Sequence, residues 1–343
     1  MHTNDTILLN ALPILVVLII VEAIYLAKHH KQNDKDILTN LSAGVVAVLL
    51  NMVTKGIVLY TYSFMYQYRL FTLPQAWYVW LLCFFADDFS FYWHHRFSHQ
   101  IRFLWASHMV HHSSEKFTFS TAVRGSWTNN LSGVFLFWAW MPLLGIEPAM
   151  LLFVKTASIA YQFWLHTETI NKMPQWFEAV FNTPSHHRVH HGSDVEYLDK
   201  NHGGILIFWD KIFGTYKEEM HTPTYGLTKN IPSLNIIKIE FYEWKNLIND
   251  LRRATTLKEC LHYLFGKPGW SLSGVSKTTQ QLQSEFMADK TRTLPTSLTL
   301  LRLLPKSIQQ VNAPVTPGVD ILPGSLIIRT GIFEKVTSAN DTF

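Results

Sequence analysis

Residues 7–27 (ILLNALPILVVLIIVEAIYLA) form an apolar run as long as a helix needs to cross a bilayer. Backbone groups in lipid must be hydrogen-bonded, and a helix does this within a single segment. MHTND precedes it, and Lys28, Lys31 and Lys35 follow. A signal peptide carries its positive charge before the apolar core, so this reads as a retained first helix. Positive charge favours the cytoplasmic side, which puts the N-terminus outside and the end of the helix inside. A second run covers roughly 41–64, interrupted by Lys55, and a third about 75–93. Residues 131–165 are apolar with a break at Gly145-Ile146-Glu147-Pro148. That break predicts a helical hairpin with arms near 131–144 and 149–165, or a re-entrant pair, because the first arm is short for a full crossing.

The expected fold is therefore all-α: an integral membrane bundle of about four to five helices. With the N-terminus outside, the third helix ends in the cytoplasm, and the hairpin returns the chain there. A histidine-rich helical domain then lies at the cytoplasmic face. Composition agrees: 48% of residues are apolar and only 16% charged, against about 25% charged in ordinary soluble domains. Two cysteines, Cys83 and Cys260, make neither a disulfide framework nor a Cys-rich zinc site. A net charge of +4 without a Lys/Arg block argues against nucleic acid as a partner.

Twelve of the 17 histidines fall between residues 94 and 202. Three groups stand out: His95-Arg-Phe-Ser-His99, His108-Met-Val-His111-His112 and His187-Arg-Val-His190-His191. Each uses steps of three or four, which share one face of a helix. One first-row transition ion takes about four to six ligands, so eight imidazoles suit two ions. Ligand type alone leaves zinc, copper, iron and nickel open. His166, at the cytoplasmic end of an apolar helix, is a ninth candidate. His94 and His186 adjoin better-placed histidines and point to other faces; they and His202 are lesser candidates. Isolated histidines such as His2, His29, His30, His221 and His262 read as packed or interfacial side chains.

Asp87 and Asp88 lie in the third apolar run, where a carboxylate is costly and by default a functional candidate. Asp88, Tyr92, His95 and His99 share a stripe. Asp88 lies about 10 Å along the axis from His95, too far to bond it, but it could orient a histidine from another segment. A structural reading of the pair, neutralising Lys55 or an arginine, stands beside this one. Glu168 and Arg188 are similar supporting candidates.

The order HRxxH, HxxHH, HxxHH resembles the fatty acid hydroxylase/sterol desaturase superfamily. Leu104–Glu115 (LWASHMVHHSSE), Trp164–Glu168 (WLHTE), Phe181–Ser193 (FNTPSHHRVHHGS) and Asp199–Tyr216 (DKNHGGILIFWDKIFGTY) are similar to the branch that includes alkylglycerol monooxygenase, as are Tyr225–Leu227 and Gly266–Trp270. The likeness runs from about 40 to 270. It implies a membrane di-iron oxygenase with O2 as co-substrate. The ligands would be His95, His99, His108, His111, His112, His187, His190 and His191, with His166 added. In that branch, hydroxylation beside an ether oxygen gives a hemiacetal that releases an aldehyde, and tetrahydropterin supplies electrons. Elsewhere in the superfamily, fatty acyl chains are hydroxylated and sterols desaturated. The implied partners are a membrane lipid and either an electron donor protein or a reduced pterin. The implied location is the endoplasmic reticulum in a eukaryote or the inner membrane in a bacterium. Two positions depart from the branch: Gln100 stands where Glu is common, and His202 where Tyr is usual.

Four regions are expected: an N-terminal anchor and linker at 1–36, a membrane-embedded catalytic domain at 37–220, amphipathic surface helices at 221–270, and a tail of unassigned role at 271–343. Two other functional classes compete with the oxygenase. A zinc hydrolase is weakened because HExxH is absent. A metal transporter would line its helices with His and Asp at mid-bilayer depth, whereas these histidines sit past the helix ends.

Overall fold

The computed structural model describes residues 2–29 and 34–293, with side chains over 13–29 and 35–290. The side chains of His2 and His30, and the tail beyond 293, lie outside the described residues. The site lies in the compact unit that ends at Ala288.

The all-α expectation holds: the described residues contain helices and turns, and their only β pairing is two isolated bridges, Phe181 with Leu206 and Gly192 with Tyr225. The principal helices are α1 (His2–Lys28), α2 (Asp34–Gln67), α3 (Trp77–Gln100), α4 (Arg102–His112), α5 (Pro148–Phe163) and α6 (Pro184–His190). Then come α7 (Tyr242–Arg253), α8 (Leu257–Phe265) and α9 (Thr279–Thr293). Among the described residues, the stretch Lys35–Gln67 is the one helix long and apolar enough to cross a membrane. Its outer face carries Val45, Met52, Val53 and Tyr60, all exposed, with Val53 77% accessible.

The turn expected at Gly145–Pro148 is present. Pro148 opens α5 at its first position, where its missing N–H costs nothing. The arm expected near 131–144 is not one continuous α-helix. It breaks into 3-10 turns at Asn130–Ser132 and Val134–Trp138 and a single α-turn at Trp140–Leu143. Gly133, at φ 77°, ends the first turn in a left-handed conformation. The Asn130 amide bonds across to Asn51 (3.0 Å) and Thr54 (2.9 Å) on α2. Both effects outweigh the helical apolar pattern of the segment.

The apolar core joins Val58 and Tyr62 of α2, Val79, Cys83 and Ala86 of α3, Trp138 and Met141 of the broken arm, and Leu151 and Val154 of α5. Each large side chain fully buried here contributes about 1.5–3 kcal/mol. α3 packs on both α5 and α4. Its end is set by Ile101, in extended conformation (φ −114°, ψ 116°), and one residue later α4 begins. Arg102 then locks α4 to α7 through Glu243 (2.7 Å) and Asp250 (2.7 Å). Within the region 221–270, where amphipathic surface helices are expected, the structure has the short helix Ile236–Glu240, α7 and α8.

Candidate metal centre

The i, i+4 pair His95/His99 projects from α3, and His108, His111 and His112 from α4. Thr183 in extended conformation and Pro184 at the first position start α6, which delivers His187, His190 and then His191. His166 follows the end of α5. The nine imidazoles gather into two groups, within each of which the candidate ligand nitrogens lie within 4.8 Å of one another. Five form one group: His95, His99, His108, His112 and His190. Four form the other: His111, His166, His187 and His191. Both HxxHH motifs straddle the division, because consecutive residues on a helix point about 100° apart. The groups adjoin: His112 stacks on His191 with ring centres 4.3 Å apart.

Three of these rings have their tautomer fixed from behind. Nδ1 of His95 donates to the carbonyl of His202 (2.9 Å), Nδ1 of His190 to Lys200 (2.9 Å) and Nδ1 of His166 to Gln162 (3.0 Å). A carbonyl only accepts, so the proton sits on Nδ1 and the Nε2 lone pair faces the group. Nε2 of His166 then lies 3.1 Å from Nε2 of His111 and 2.9 Å from Nε2 of His187. One lone pair cannot satisfy two such neighbours. Nε2 of His99, His190 and His191 are buried with no partner at all. Buried polar atoms left unpaired are costly, and a shared cation resolves all of these contacts.

The protonation states agree. Burial, and then the neighbouring imidazoles, push His108, His112, His187, His190 and His191 well below the usual histidine range. Burial lowers His111 to about 4. The rings are therefore neutral at pH 7, the form that binds metal. The residues present fit two transition-metal ions.

The supporting candidates fall differently. Asp88 bonds no histidine. It accepts from the backbone N–H of Ile205 (2.7 Å) and Leu206 (3.2 Å) and from Trp209 Nε1 (2.9 Å). Its distance from His95 along α3 leaves it opposite this loop, and it holds the segment whose His202 carbonyl braces His95. Asp87 accepts from Trp138 Nε1 (2.7 Å), and its charged neighbour is Lys155 rather than Lys55. Arg188 grips Glu219 with two bonds (2.6 and 2.7 Å) and donates to the carbonyls of Thr167 (3.1 Å) and Ile170 (2.6 Å), fixing the loop after His166. Glu168 is exposed and outside both groups. His94 packs its ring against Phe137 and Trp138, and His186 lies near Thr183 and Tyr216; neither joins a group. His202 is fully buried, its ring 5.1 Å from that of His99, with both nitrogens unpartnered.

Three carboxylates that the sequence reading passed over do the bracing. Asp210 accepts from the backbone N–H of His202 and Gly203, both at 2.7 Å, and from the Thr215 hydroxyl (2.6 Å). With Asp88 it clamps the loop from two sides. The clamp requires glycine: a Cβ on Gly203 would lie 2.6 Å from the Leu206 carbonyl oxygen, and one on Gly204 2.8 Å from the Phe91 ring. Glu22 of α1 accepts from Thr167, the residue after His166, and from the Phe119 N–H (2.5 Å). Asp36 pairs with Arg124 (3.2 Å) and accepts from Ser114 (2.7 Å), while Arg124 donates to the Val110 carbonyl (3.1 Å). That network ties the start of α2 to the end of α4. A lone glutamate in the run 7–27 was the signal available for Glu22.

Residues 80–215, the span that contains every candidate ligand, match the fatty acid hydroxylase family. Over those residues the chain is similar to a fatty acid hydroxylase domain. It is similar to alkylglycerol monooxygenase of Homo sapiens, 37% identical over 274 residues, 78% of this chain and 60% of that protein. The Danio rerio enzyme is 38% identical over 246 residues (71% and 54%), and that of Xenopus tropicalis 36% over 238 residues (68% and 52%). The chain thus spans little more than half the length of these relatives. No solved structure matches it.

Proposed function

We propose that the fatty acid hydroxylase-like region holds two irons, one in each imidazole group, and that the chain is a membrane lipid monooxygenase. The observation that carries this reading is the division of nine buried imidazoles into adjoining groups of five and four. His95, His99, His108, His112 and His190 would hold one iron, and His111, His166, His187 and His191 the other. Bound iron supplies the dioxygen chemistry that an unactivated C–H bond needs and that no acid or base side chain provides.

The protein's own contribution is positional. The carbonyls of His202, Lys200 and Gln162 keep three Nε2 lone pairs aimed inward. Asp88 and Asp210 keep the first of those carbonyls in place, and Arg188 and Glu22 steady the segment beyond His166. Burial of the groups excludes water, which protects a reactive oxidant from side reactions.

The substrate proposed is an alkyl ether of glycerol, after the names of the relatives. Oxidation of the carbon beside the ether oxygen gives a hemiacetal, which separates into a fatty aldehyde and glycerol. Incorporating one oxygen atom and reducing the other to water takes two electrons and two protons, supplied by a reduced pterin or an electron donor protein. The exposed apolar face of α2 supports insertion in a bilayer, through which a lipid would arrive by diffusion. The proposed count of about four to five membrane helices and the cytoplasmic placing of the histidine domain rest on the apolar runs and flanking charges of the sequence.

Iron-loaded protein given the hexadecyl ether of glycerol, reduced tetrahydropterin and oxygen is expected to release hexadecanal, and to release none without oxygen. Equal turnover in the absence of oxygen would overturn the monooxygenase reading. Oxygen-dependent hydroxylation of an acyl chain with no aldehyde would overturn the substrate.

A further inference from the structure

The segment 236–265 sorts its side chains by charge. It contains four acidic residues, and each has a partner within the protein. Glu240 accepts from Ser126 (2.7 Å) and the Trp127 N–H (2.9 Å), Glu243 and Asp250 hold Arg102, and Glu259 accepts from the Thr255 N–H (2.7 Å). Apart from the Glu259 carboxylate, what faces outward is largely apolar and basic. From Phe241, the residue that caps α7, the exposed stripe continues through Lys245, Ile248 and Arg252, at steps of four, three and four. On α8 it is Leu257, Leu261 and Phe265, with Lys258 beside them. Leu257 is 75% accessible. Large apolar side chains left in water on two consecutive helices mark an interaction surface, and the exposed Lys238, Lys245, Arg252, Arg253 and Lys258, set against Glu259, favour a negatively charged one.

The position of this segment indicates its occupant. The Thr39 hydroxyl on α2 donates to the Leu234 carbonyl (3.2 Å), and Trp127 Nε1 donates to Ala43 (3.2 Å) while its ring lies 6.3 Å from that of Phe241. The stripe therefore begins beside the first turns of α2. From there α2 turns outward Leu38, Leu41, Val45 and Val48, the face assigned to lipid above. We infer that α7 and α8 lie on an anionic bilayer surface, with the Phe, Ile and Leu side chains at the boundary between headgroups and acyl chains and the Lys and Arg side chains on lipid phosphates or carboxylates. The surface would hold the histidine domain at a fixed height over the lipid from which it draws substrate. The inference rests on the membrane part of the proposed function and is independent of its chemistry.

The test uses single cysteines carrying an environment-sensitive fluorophore in a Cys260→Ser background, since Cys83 is buried. Labels at Ile248→Cys and Leu257→Cys report on the stripes, and one at Val53→Cys reports on α2. The full chain is reconstituted into vesicles of phosphatidylcholine, with or without phosphatidylserine, containing nitroxide-labelled lipids. Nitroxides near the headgroup are expected to quench both stripe labels, more strongly with phosphatidylserine, and Lys245→Glu with Arg252→Glu is expected to remove that extra quenching. Stripe labels quenched by aqueous iodide and untouched by lipid nitroxides, while Val53→Cys is quenched from within the bilayer, would overturn the inference alone. Failure of lipid quenching at Val53→Cys as well would overturn the membrane reading beneath it. Lipid quenching that is indifferent to phosphatidylserine and to the charge reversal would overturn the anionic preference.

Discussion

Glu22, on the first helix, accepts a hydrogen bond from Thr167, the residue that follows His166. The N-terminal helix thereby reaches the four-imidazole group, and its carboxylate also holds the Phe119 N–H. Replacing Glu22 with alanine leaves two buried donors without this acceptor, at a cost of about 1–3 kcal/mol each. The expected result is a protein that still enters the membrane but melts earlier and loses iron from the group containing His166. Glu22→Gln, which keeps an acceptor oxygen, should lie between the two. Iron content and thermal melting of the three proteins in detergent check this; equal iron in all three would contradict it.

The clamp by Asp88 gives a second prediction. Three donors converge on this carboxylate. Asparagine offers a single acceptor oxygen and turns N–H groups toward N–H groups. Asp88→Asn should loosen the loop carrying the His202 carbonyl and weaken iron binding at the five-imidazole group by about 10–100-fold. Titration of the metal-free variant with ferrous iron measures this directly. Unchanged affinity would show that the carbonyl brace on His95 does not depend on Asp88.

These two residues also show what the sequence made legible. The HxxHH spacing placed the histidines on helix faces, and the structure brings the nine candidates together. Their division into five and four was not readable, because it depends on how α3, α4 and α6 pack rather than on the period of any one helix. The stripe of Asp88 with His95 was readable, but its partner was not: the loop it holds comes from more than a hundred residues further along the chain. Glu22 was visible as a lone carboxylate in an apolar run, yet nothing local named Thr167. The arm near 131–144 looked like a helix because apolar content dominated its pattern, while Gly133 and the bonds of Asn130 to α2 decided the backbone.

Removal of single imidazoles should separate the two groups. His111→Ala and His190→Ala are each expected to abolish turnover while leaving the protein in the membrane, since each removes a ligand candidate from a different group. Membrane fractionation and the aldehyde assay check this together. Full activity in both variants would remove the two-metal account.

Acid should destabilise the metal-free protein. His111 is lowered from 6.5 to about 4 by burial, so as pH falls the unfolded chain takes up the proton first. The stability contribution is whole above about pH 6.5 and is lost as pH falls towards 4. His108, His112, His187, His190 and His191 shift in the same direction. Asp210, raised to about 6 by burial, and Glu240, also raised by burial, oppose them. The melting temperature of metal-free protein should therefore drop steadily as pH is lowered from neutral to 5. A flat profile would mean that the rings are not held neutral.

The most direct test of the central claim is the iron content of detergent-purified protein grown on iron-57, read by elemental analysis and Mössbauer spectroscopy. The two imidazole groups predict about two irons per chain, with a spectrum showing magnetic coupling between them. Protein that binds no iron even after anaerobic reconstitution, or that saturates at a single uncoupled iron, would contradict the account.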